Sequence, residues 1–217
     1  MDLIDQIKVN VVNGNAKMVS TLVQKALKQG ISPQDILDYG LIEGMTEAGE
    51  KFKDNQFFVP EVLISARAMS YGLNMLKPIF EVSNFKPIGK VIIGTVKGDL
   101  HDIGKNLVAM MLKGAGFEVI DLGIDVSTEA FIEAVRKFNP QILGMSSLLT
   151  TTMYQMKNVI DRLIEDKLRD KLLIMVGGAP VTKEFAQSIG ADIYSNNAAE
   201  AAQIARSLII GSNKIIK

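Results

Sequence analysis

The chain has 217 residues, 47% of them hydrophobic, with 24 basic and 24 acidic side chains, one histidine and no cysteine. Balanced charge without a dense basic face argues against nucleic-acid binding, and the missing cysteines exclude disulfides, thiolate zinc sites and iron–sulfur clusters. No stretch is long and uncharged enough to span a bilayer and no basic, apolar signal segment opens the chain, so we expect a cytoplasmic protein without a membrane partner.

The first 84 residues show helical rather than strand-like periodicity. We predict helices over Asp2–Val12 and Ala16–Gln29, the second of which ends at a glycine, a common helix stop. Ser32 and Pro33 then suit the cap and the first position of a third helix, and a fourth helix is expected from about Pro60 to Phe80. Four helices of this length predict an antiparallel four-helix bundle over residues 1–84.

Beyond a predicted linker at residues 84–89, short apolar runs alternate with amphipathic stretches. The uncharged centres of these runs are typical of a parallel sheet that helices cover on both faces. The predicted strands are Lys90–Val96, Phe117–Leu122, Gln141–Ser146, Lys171–Val176 and Asp192–Ser195, and helices are expected at about 103–114, 127–138, 151–167, 181–189 and 198–210. We therefore predict a doubly wound, five-stranded α/β domain over residues 88–217.

Binding sites in such sheets lie beyond the carboxyl ends of the strands, near the point where the strand order reverses. The first predicted strand is followed by Gly98–Asn106, which contains the single histidine, His101. Ser146–Thr150 ends the third strand, Gly177-Gly178 follows the fourth, and Asn197 follows the fifth. One imidazole with carboxylates is a poor protein-only metal site, but it is enough for a metal that arrives inside a macrocycle.

Three of these elements together resemble the cobalamin-binding signature of methionine synthase and of corrinoid methyl carriers. They are Asp99-x-His101-x-x-Gly104, Ser146-x-Leu148 and Gly177-Gly178, each placed after its own predicted strand. The N-terminal half is similar to the helical cap of these proteins at residues 49–52 and 57–61. The resemblance covers nearly the whole chain and points to the corrinoid proteins of anaerobic methyltransferase systems. It implies a helical cap followed by a flavodoxin-like, cobalamin-binding α/β domain.

The resemblance also implies a role for each residue of the signature. His101 would be the lower axial ligand of cobalt, Asp99 would accept a hydrogen bond from its second ring nitrogen, and Ser146 would hydrogen-bond the Asp99 carboxylate. Further implied cofactor contacts are Asp102, Ile103, Gly104, Ser146, Leu148, Thr150, Gly177, Gly178 and, as an apolar lid over the corrin, Phe57, Val59, Pro60 and Val62. Asn197 is a further implied contact, on the nucleotide side of the cofactor, at a position where the family commonly has an aspartate. By themselves Asp102, Lys105 and Asn106 are expected to be solvated or to cap a helix.

A methyl-carrying corrinoid protein is the implied function, as one component of a multi-enzyme system rather than a complete enzyme. The implied partners are a substrate-specific methyltransferase, an acceptor methyltransferase acting on tetrahydrofolate or a thiol, and a corrinoid reductive activase. Three alternatives remain. A cobalamin-dependent sensor usually adds a DNA-binding segment, the small subunit of an adenosylcobalamin mutase lacks the long cap, and a flavodoxin-like FMN carrier has no need of His101.

Overall fold

The structure, a computed structural model, describes residues 1–82, 87–195 and 197–215. The chain divides into two compact units, one of Met1–Lys86 with Gly114–Gly116 and the other of Pro87–Lys113 with Phe117–Lys217. The first half of the predicted linker, residues 84–86, lies outside the described residues. Within those residues, no helix has both the length and the apolar character that a bilayer-crossing segment requires.

The first unit is helical, as the sequence predicts. Its elements are α1 (Leu3–Val12), α2 (Ala16–Lys28), α3 (Pro33–Asp35), a π-helical segment (Ile36–Ile42), α4 (Glu43–Lys53) and α5 (Val59–Val82). Because α3, the π segment and α4 follow one another without a break, they form one continuous helical segment. Within this segment, α4 packs against α1 and α5. The α2 helix also packs against both α1 and α5.

Side-chain caps fix two of the predicted helix starts. Asp2 Oδ1 accepts the backbone N–H of Asp5 at 2.8 Å at the start of α1. Ser32 Oγ accepts the N–H of Gln34 at 3.2 Å, with Pro33 at the first helical position of α3. The π segment was not predicted, since its buried apolar residues recur at spacings that also fit an ordinary α-helix.

The second unit contains a sheet of five parallel strands in the order β2-β1-β3-β4-β5, which confirms the predicted flavodoxin-like architecture. The strands are β1 (Lys90–Thr95), β2 (Glu118–Asp121), β3 (Ile142–Ser146), β4 (Leu173–Gly177) and β5 (Ile193–Tyr194). The register pairs Ser146 with both Thr95 and Gly177. The carboxyl ends of β1, β3 and β4 therefore lie side by side, and the strand order reverses between β1 and β3.

Five α-helices and a short 3-10 helix (Arg169–Lys171) complete the described part of this unit. The α-helices are α6 (Ile103–Gly114), α7 (Thr128–Phe138), α8 (Gln155–Glu165), α9 (Lys183–Ser188) and α10 (Ala198–Ile215). On one side of the sheet, Ile92, Leu143 and Ile174 from three adjacent strands join Phe131 and Ile160 in a buried cluster. Burial of each such side chain contributes about 1.5–3 kcal/mol, so the strand ends that carry the loops are firmly anchored.

Candidate functional site

Two loops meet where the strand order reverses, one after β1 and one after β3. They are joined at their base, because the N–H of Val96 donates to the carbonyl of Ser146 at 3.0 Å. The first loop carries Asp99, whose side chain is fully buried. The second loop forms a turn around the Asp99 carboxylate, and this turn ends where α8 begins, at Gln155. The site is therefore built around a buried acid at the position that the sheet topology favours for ligands.

Asp99 and His101 form one hydrogen-bonded unit. Oδ1 of Asp99 accepts the backbone N–H of His101 at 3.0 Å and lies 2.7 Å from the ring nitrogen Nδ1. The His101 side chain is 49% exposed, whereas that of Asp99 is 0% exposed. The imidazole thus extends from a buried anchor toward the open edge of the sheet.

The second carboxylate oxygen of Asp99 is held from the other loop. Oδ2 accepts the hydroxyl of Thr152 at 2.8 Å, the hydroxyl of Ser147 at 3.2 Å and the N–H of Leu148 at 2.8 Å. Burial alone raises the pKa of the Asp99 carboxyl, but the hydrogen bonds from His101, Leu148 and Thr152 together hold that pKa well below its usual range. Asp99 is therefore an anion at neutral pH.

This charge state decides which ring nitrogen of His101 carries the proton. An ionised carboxylate can only accept hydrogen bonds, so Nδ1 of His101, at 2.7 Å, must be the donor. In the neutral ring the other nitrogen, Nε2, then has a free lone pair. A carboxylate that orients an imidazole in this way is the usual arrangement behind a histidine that binds a metal.

One predicted contact is wrong by one position. Ser147 and Thr152, rather than Ser146, donate hydroxyl hydrogen bonds to Asp99. Ser146 is the last residue of β3, and successive side chains along a strand point to opposite faces, which turns its neighbour toward the acid. Thr152 lies in the turn before α8 instead of in the predicted helix, and this turn brings its hydroxyl to Asp99.

Glycines leave open space along the same rim. A Cβ atom built on Gly104 or Gly177 meets no protein atom within 4 Å, and neither glycine has a positive φ. Gly178 differs, because its φ is +131° and a Cβ there would lie 1.8 Å from the carbonyl oxygen of Ser147. The fold itself therefore requires glycine at Gly178, whereas at Gly104 and Gly177 the protein gives no such reason.

Large apolar side chains are exposed along these two loops and at the start of α6. Leu100 is 67% exposed, Ile103 76% and Leu148 44%. Such a concentration next to one histidine suits a broad, largely apolar ligand rather than a hydrated ion. Among the residues that the structure describes, no group of three or more His, Asp or Glu side chains is placed to hold a metal ion. A metal at His101 must therefore bring most of its own ligands.

The other predicted contacts in this unit have mixed surroundings. Thr150 is exposed on the rim, and Asp102 is exposed and accepts the Asn106 side-chain amide at 3.0 Å. Asn197 caps α10, because its Oδ1 accepts the N–H of Glu200 at 2.9 Å. Lys105 is not solvated as expected, since it is 3% exposed and its Nζ lies 2.5 Å from Asp121 Oδ2. The pairing with a carboxylate explains how this ammonium group can be buried.

The four predicted lid residues all lie in the helical unit, at the start of α5 or just before it. Phe57 and Val59 are half-buried and Pro60 is exposed. Val62 is 1% exposed, which leaves no surface for the predicted contact with a cofactor. Val62 therefore acts as a core residue in this arrangement.

Comparison with known proteins adds two family matches and several relatives. Residues 3–77 and residues 89–203 each match a family model described as a B12 binding domain. The trimethylamine corrinoid protein 1 of Methanosarcina acetivorans is 39% identical over 211 residues, which cover 96% of this chain and 98% of the relative. The dimethylamine corrinoid protein of Methanosarcina barkeri is 41% identical over 209 residues, with coverage of 96% and 98%.

Solved structures show the same similarity in three dimensions. A chain in the crystal structure of the methanol:cobalamin methyltransferase complex from Methanosarcina barkeri superposes with a TM-score of 0.85 at 35% identity, covering 96% of this chain and 80% of that one. A cobalamin-binding protein from Desulfitobacterium hafniense superposes with a TM-score of 0.80 at 32% identity, with coverage of 94% and 97%.

Proposed function

We propose a function from one premise, that the chain belongs to the family of B12-binding corrinoid proteins. Corrinoid is the cofactor of this family, and the two family models together span most of the chain. On this basis the protein carries a methyl group on a bound corrinoid and exchanges it with methyltransferase partners. Its relatives, which include trimethylamine and dimethylamine corrinoid proteins, support this class of function.

The observation that carries the proposal is the Asp99–His101 pair at the rim of the sheet. The buried carboxylate fixes the ring so that Nε2 keeps its lone pair, which is the form of histidine that binds a metal. His101 would hold the corrinoid cobalt, while Gly104 and Gly177 leave open space for the rest of the cofactor. Bound corrinoid supplies the cobalt centre that accepts and gives up the methyl group.

The remaining residues of the site would bind and orient. Ser147 and Thr152 keep the Asp99 carboxylate in place and ionised, so that it can hold the proton on Nδ1 of His101. Apolar surface for the cofactor would come from Leu100, Ile103 and Leu148, which would also keep water away from the His101 imidazole. Ser146, Thr150, Asp102, Gly178 and Asn197 remain proposed contacts of the cofactor or its nucleotide arm, and Phe57, Val59 and Pro60 remain proposed parts of a lid.

We further propose that a substrate-specific methyltransferase supplies the methyl group and that a second methyltransferase, acting on tetrahydrofolate or a thiol, removes it. A corrinoid reductive activase would restore the carrier after accidental oxidation. The described residues include no group of three or more His, Asp or Glu side chains that could hold a metal ion by themselves. Because the site of this chain is assigned to the cofactor, we propose that substrate recognition belongs to the partner methyltransferases.

Retention and release of a methyl label tests the proposed carrier function. The protein loaded with hydroxocobalamin and then reduced should take up a ¹³C-methyl group from methyl iodide, a chemical methyl donor. It should keep the label through desalting and lose it to a thiol only when an acceptor methyltransferase is present. A loaded protein that retains no label after reduction would contradict the proposal.

Alanine at Gly104 or Gly177 is expected to weaken corrinoid binding without weakening the fold. The new Cβ meets no protein atom, and alanine in place of helical Gly104 favours the helix by up to about 1 kcal/mol. If the cofactor fills this space, the overpacking lowers its affinity by about tenfold or more. Thermal unfolding of the cofactor-free protein and titration with hydroxocobalamin measure the two effects separately.

Gly211→Ala provides a matched control for this prediction. Gly211 also lies in a helix, and its Cβ would also meet nothing within 4 Å, but it belongs to the far end of α10 rather than to the rim. Its affinity for corrinoid should equal that of the wild type. Unchanged affinity in the Gly104→Ala and Gly177→Ala proteins would show that the open space is not the cofactor's.

A further inference from the structure

We propose that Asp125 and Thr95 form a two-point clamp that positions the His101 loop for cobalt ligation. The inference rests on the proposed function, because it assigns a role to side chains that hold the proposed ligand residue. Asp125 lies in the loop after β2, and Thr95 is the last residue of β1. Neither is among the proposed cofactor contacts, so both would act through the loop that they hold.

The first point of the clamp is Asp125. Its Oδ1 accepts the N–H of Gly98 at 2.8 Å, and its own N–H donates to the carbonyl of Asp99 at 3.0 Å. Lys97 lies on the exposed side of the same carboxylate, with Nζ 3.1 Å from Oδ2. Asp125 therefore bonds two consecutive residues of the ligand loop, and the Asp99 backbone cannot shift without breaking one of these bonds.

The backbone of Asp125 makes this double contact possible. Its φ of 52° is in the left-handed region, which few residues other than glycine, asparagine and aspartate adopt. In this conformation one residue presents both a backbone donor to Asp99 and a side-chain acceptor to Gly98. The β2 loop is itself fixed to the sheet, since Val126 N–H donates to the Thr95 carbonyl at 2.9 Å.

The second point of the clamp is the Thr95 side chain. It is fully buried, and its hydroxyl donates to the carbonyl of His101 at 2.9 Å. A buried hydroxyl must find a partner inside the protein, and here that partner is the ligand residue itself. His101 is thus held at its N–H and ring by Asp99 and at its carbonyl by Thr95.

Such a clamp favours cobalt ligation, because an ordered loop holds the His101 imidazole in the ligating position before the cofactor binds. If a clamp bond is removed, the loop must be ordered at the moment of ligation, and the equilibrium shifts toward the unligated form. A typical intramolecular hydrogen bond shifts an equilibrium by about 2- to 10-fold. The expected effect on ligation is therefore about fivefold at each point of the clamp.

The test uses variants that separate the side-chain contact from the backbone conformation. Asp125→Gly keeps the left-handed φ but removes the acceptor, whereas Asp125→Asn keeps both the conformation and an acceptor oxygen. Lys97→Ala removes only the exposed ion pair. Thr95→Val keeps the shape but removes the hydroxyl, and Thr95→Ser keeps the hydroxyl.

Two readouts are needed, one with and one without corrinoid. Electron paramagnetic resonance of the cobalt(II) form gives the ratio of histidine-ligated to unligated cofactor, and this ratio should fall about fivefold in the Asp125→Gly and Thr95→Val proteins. In the cofactor-free protein, amide hydrogen exchange at Gly98 and His101 should accelerate in the same two variants. Asp125→Asn, Thr95→Ser and Lys97→Ala should stay within about twofold of the wild type on both readouts.

Wild-type ratios and wild-type exchange rates in both Asp125→Gly and Thr95→Val would overturn the clamp. A different result, absence of histidine ligation in the wild-type protein, would instead overturn the proposed ligand, so the two failures are distinguishable. If Thr95→Val does not fold, the Asp125 variants in their exposed loop decide the question alone.

Discussion

The His101→Ala protein is expected to fold normally and to lose the protein-derived ligand of its corrinoid. The His101 side chain is 49% exposed, so its removal takes little packing from the core. Loss of a mere hydrogen-bonding partner of a metal ligand commonly lowers metal affinity 10- to 100-fold, so loss of the ligand itself should lower corrinoid affinity by about 100-fold or more. Absorbance titration with hydroxocobalamin measures the affinity, and circular dichroism checks the fold.

Free imidazole supplies the control for this variant. Because the side chain faces the open rim, imidazole from solution can enter the space that alanine leaves and ligate cobalt in its place. Added imidazole should therefore shift the absorbance of corrinoid bound to His101→Ala toward that of the wild type. An alanine variant with wild-type affinity and spectrum would remove His101 from the site.

The second large effect is expected for Asp99→Asn, which changes the charge but hardly the shape. Both carboxylate oxygens accept hydrogen bonds, Oδ1 from His101 and Oδ2 from Thr152 and its neighbours. Asparagine has only one oxygen, so its NH₂ group must face one of these two sets of donors. If it faces His101, it donates to Nδ1, which moves the ring proton to Nε2 and blocks ligation.

Whichever way the amide turns, a buried donor is left facing another donor. This mismatch should destabilise the fold by about 1–3 kcal/mol, and the corrinoid affinity should fall about 10- to 100-fold. The ¹⁵N chemical shifts of the His101 ring report the tautomer directly, since the chain has one histidine. Asp161→Asn, on the exposed surface of α8, is a matched control that should change neither quantity.

The stability difference between wild type and Asp99→Asn should also depend on pH. Hydrogen bonds lower the pKa of Asp99 in the folded state, so its contribution is fully present above the unfolded value of about 4 and is lost as pH falls below it. Denaturant unfolding at a series of acidic pH values should therefore show the two proteins converging. A constant difference across this range would mean that the ionised carboxylate is not what stabilises the site.

The sequence predicted the architecture because strong local signals agree with the final packing. Uncharged strand centres and caps such as Ser32 indicated the order of elements, and the strand ends placed His101 at the rim before any contact was known. The sequence pattern does not identify the hydroxyl that donates to Asp99. A shift of one residue reverses the face to which a side chain points, so Ser146 and Ser147 cannot be told apart by pattern.

Other parts of the site depend on contacts between distant segments. Asp125 approaches Gly98 only because β2 pairs with β1 and the loops after them run together. Lys105 follows the signature motif like any solvated lysine, but its position on α6 brings it to Asp121 at the end of β2. Local periodicity in the sequence cannot predict these two contacts, because the two residues of each contact lie in different helices, strands or loops.

Cobalt ligation by His101 is tested most directly by the identity of the nitrogen that binds cobalt in the loaded protein. In the cobalt(II) form the unpaired electron couples to the nucleus of its axial ligand, and His101 is the single histidine that can be isotopically labelled. Protein made with ¹⁵N-histidine and unlabelled corrinoid should change the nitrogen splitting in its paramagnetic resonance spectrum from a triplet to a doublet. A splitting that remains a triplet would show that the cofactor's own base, and not His101, holds the metal.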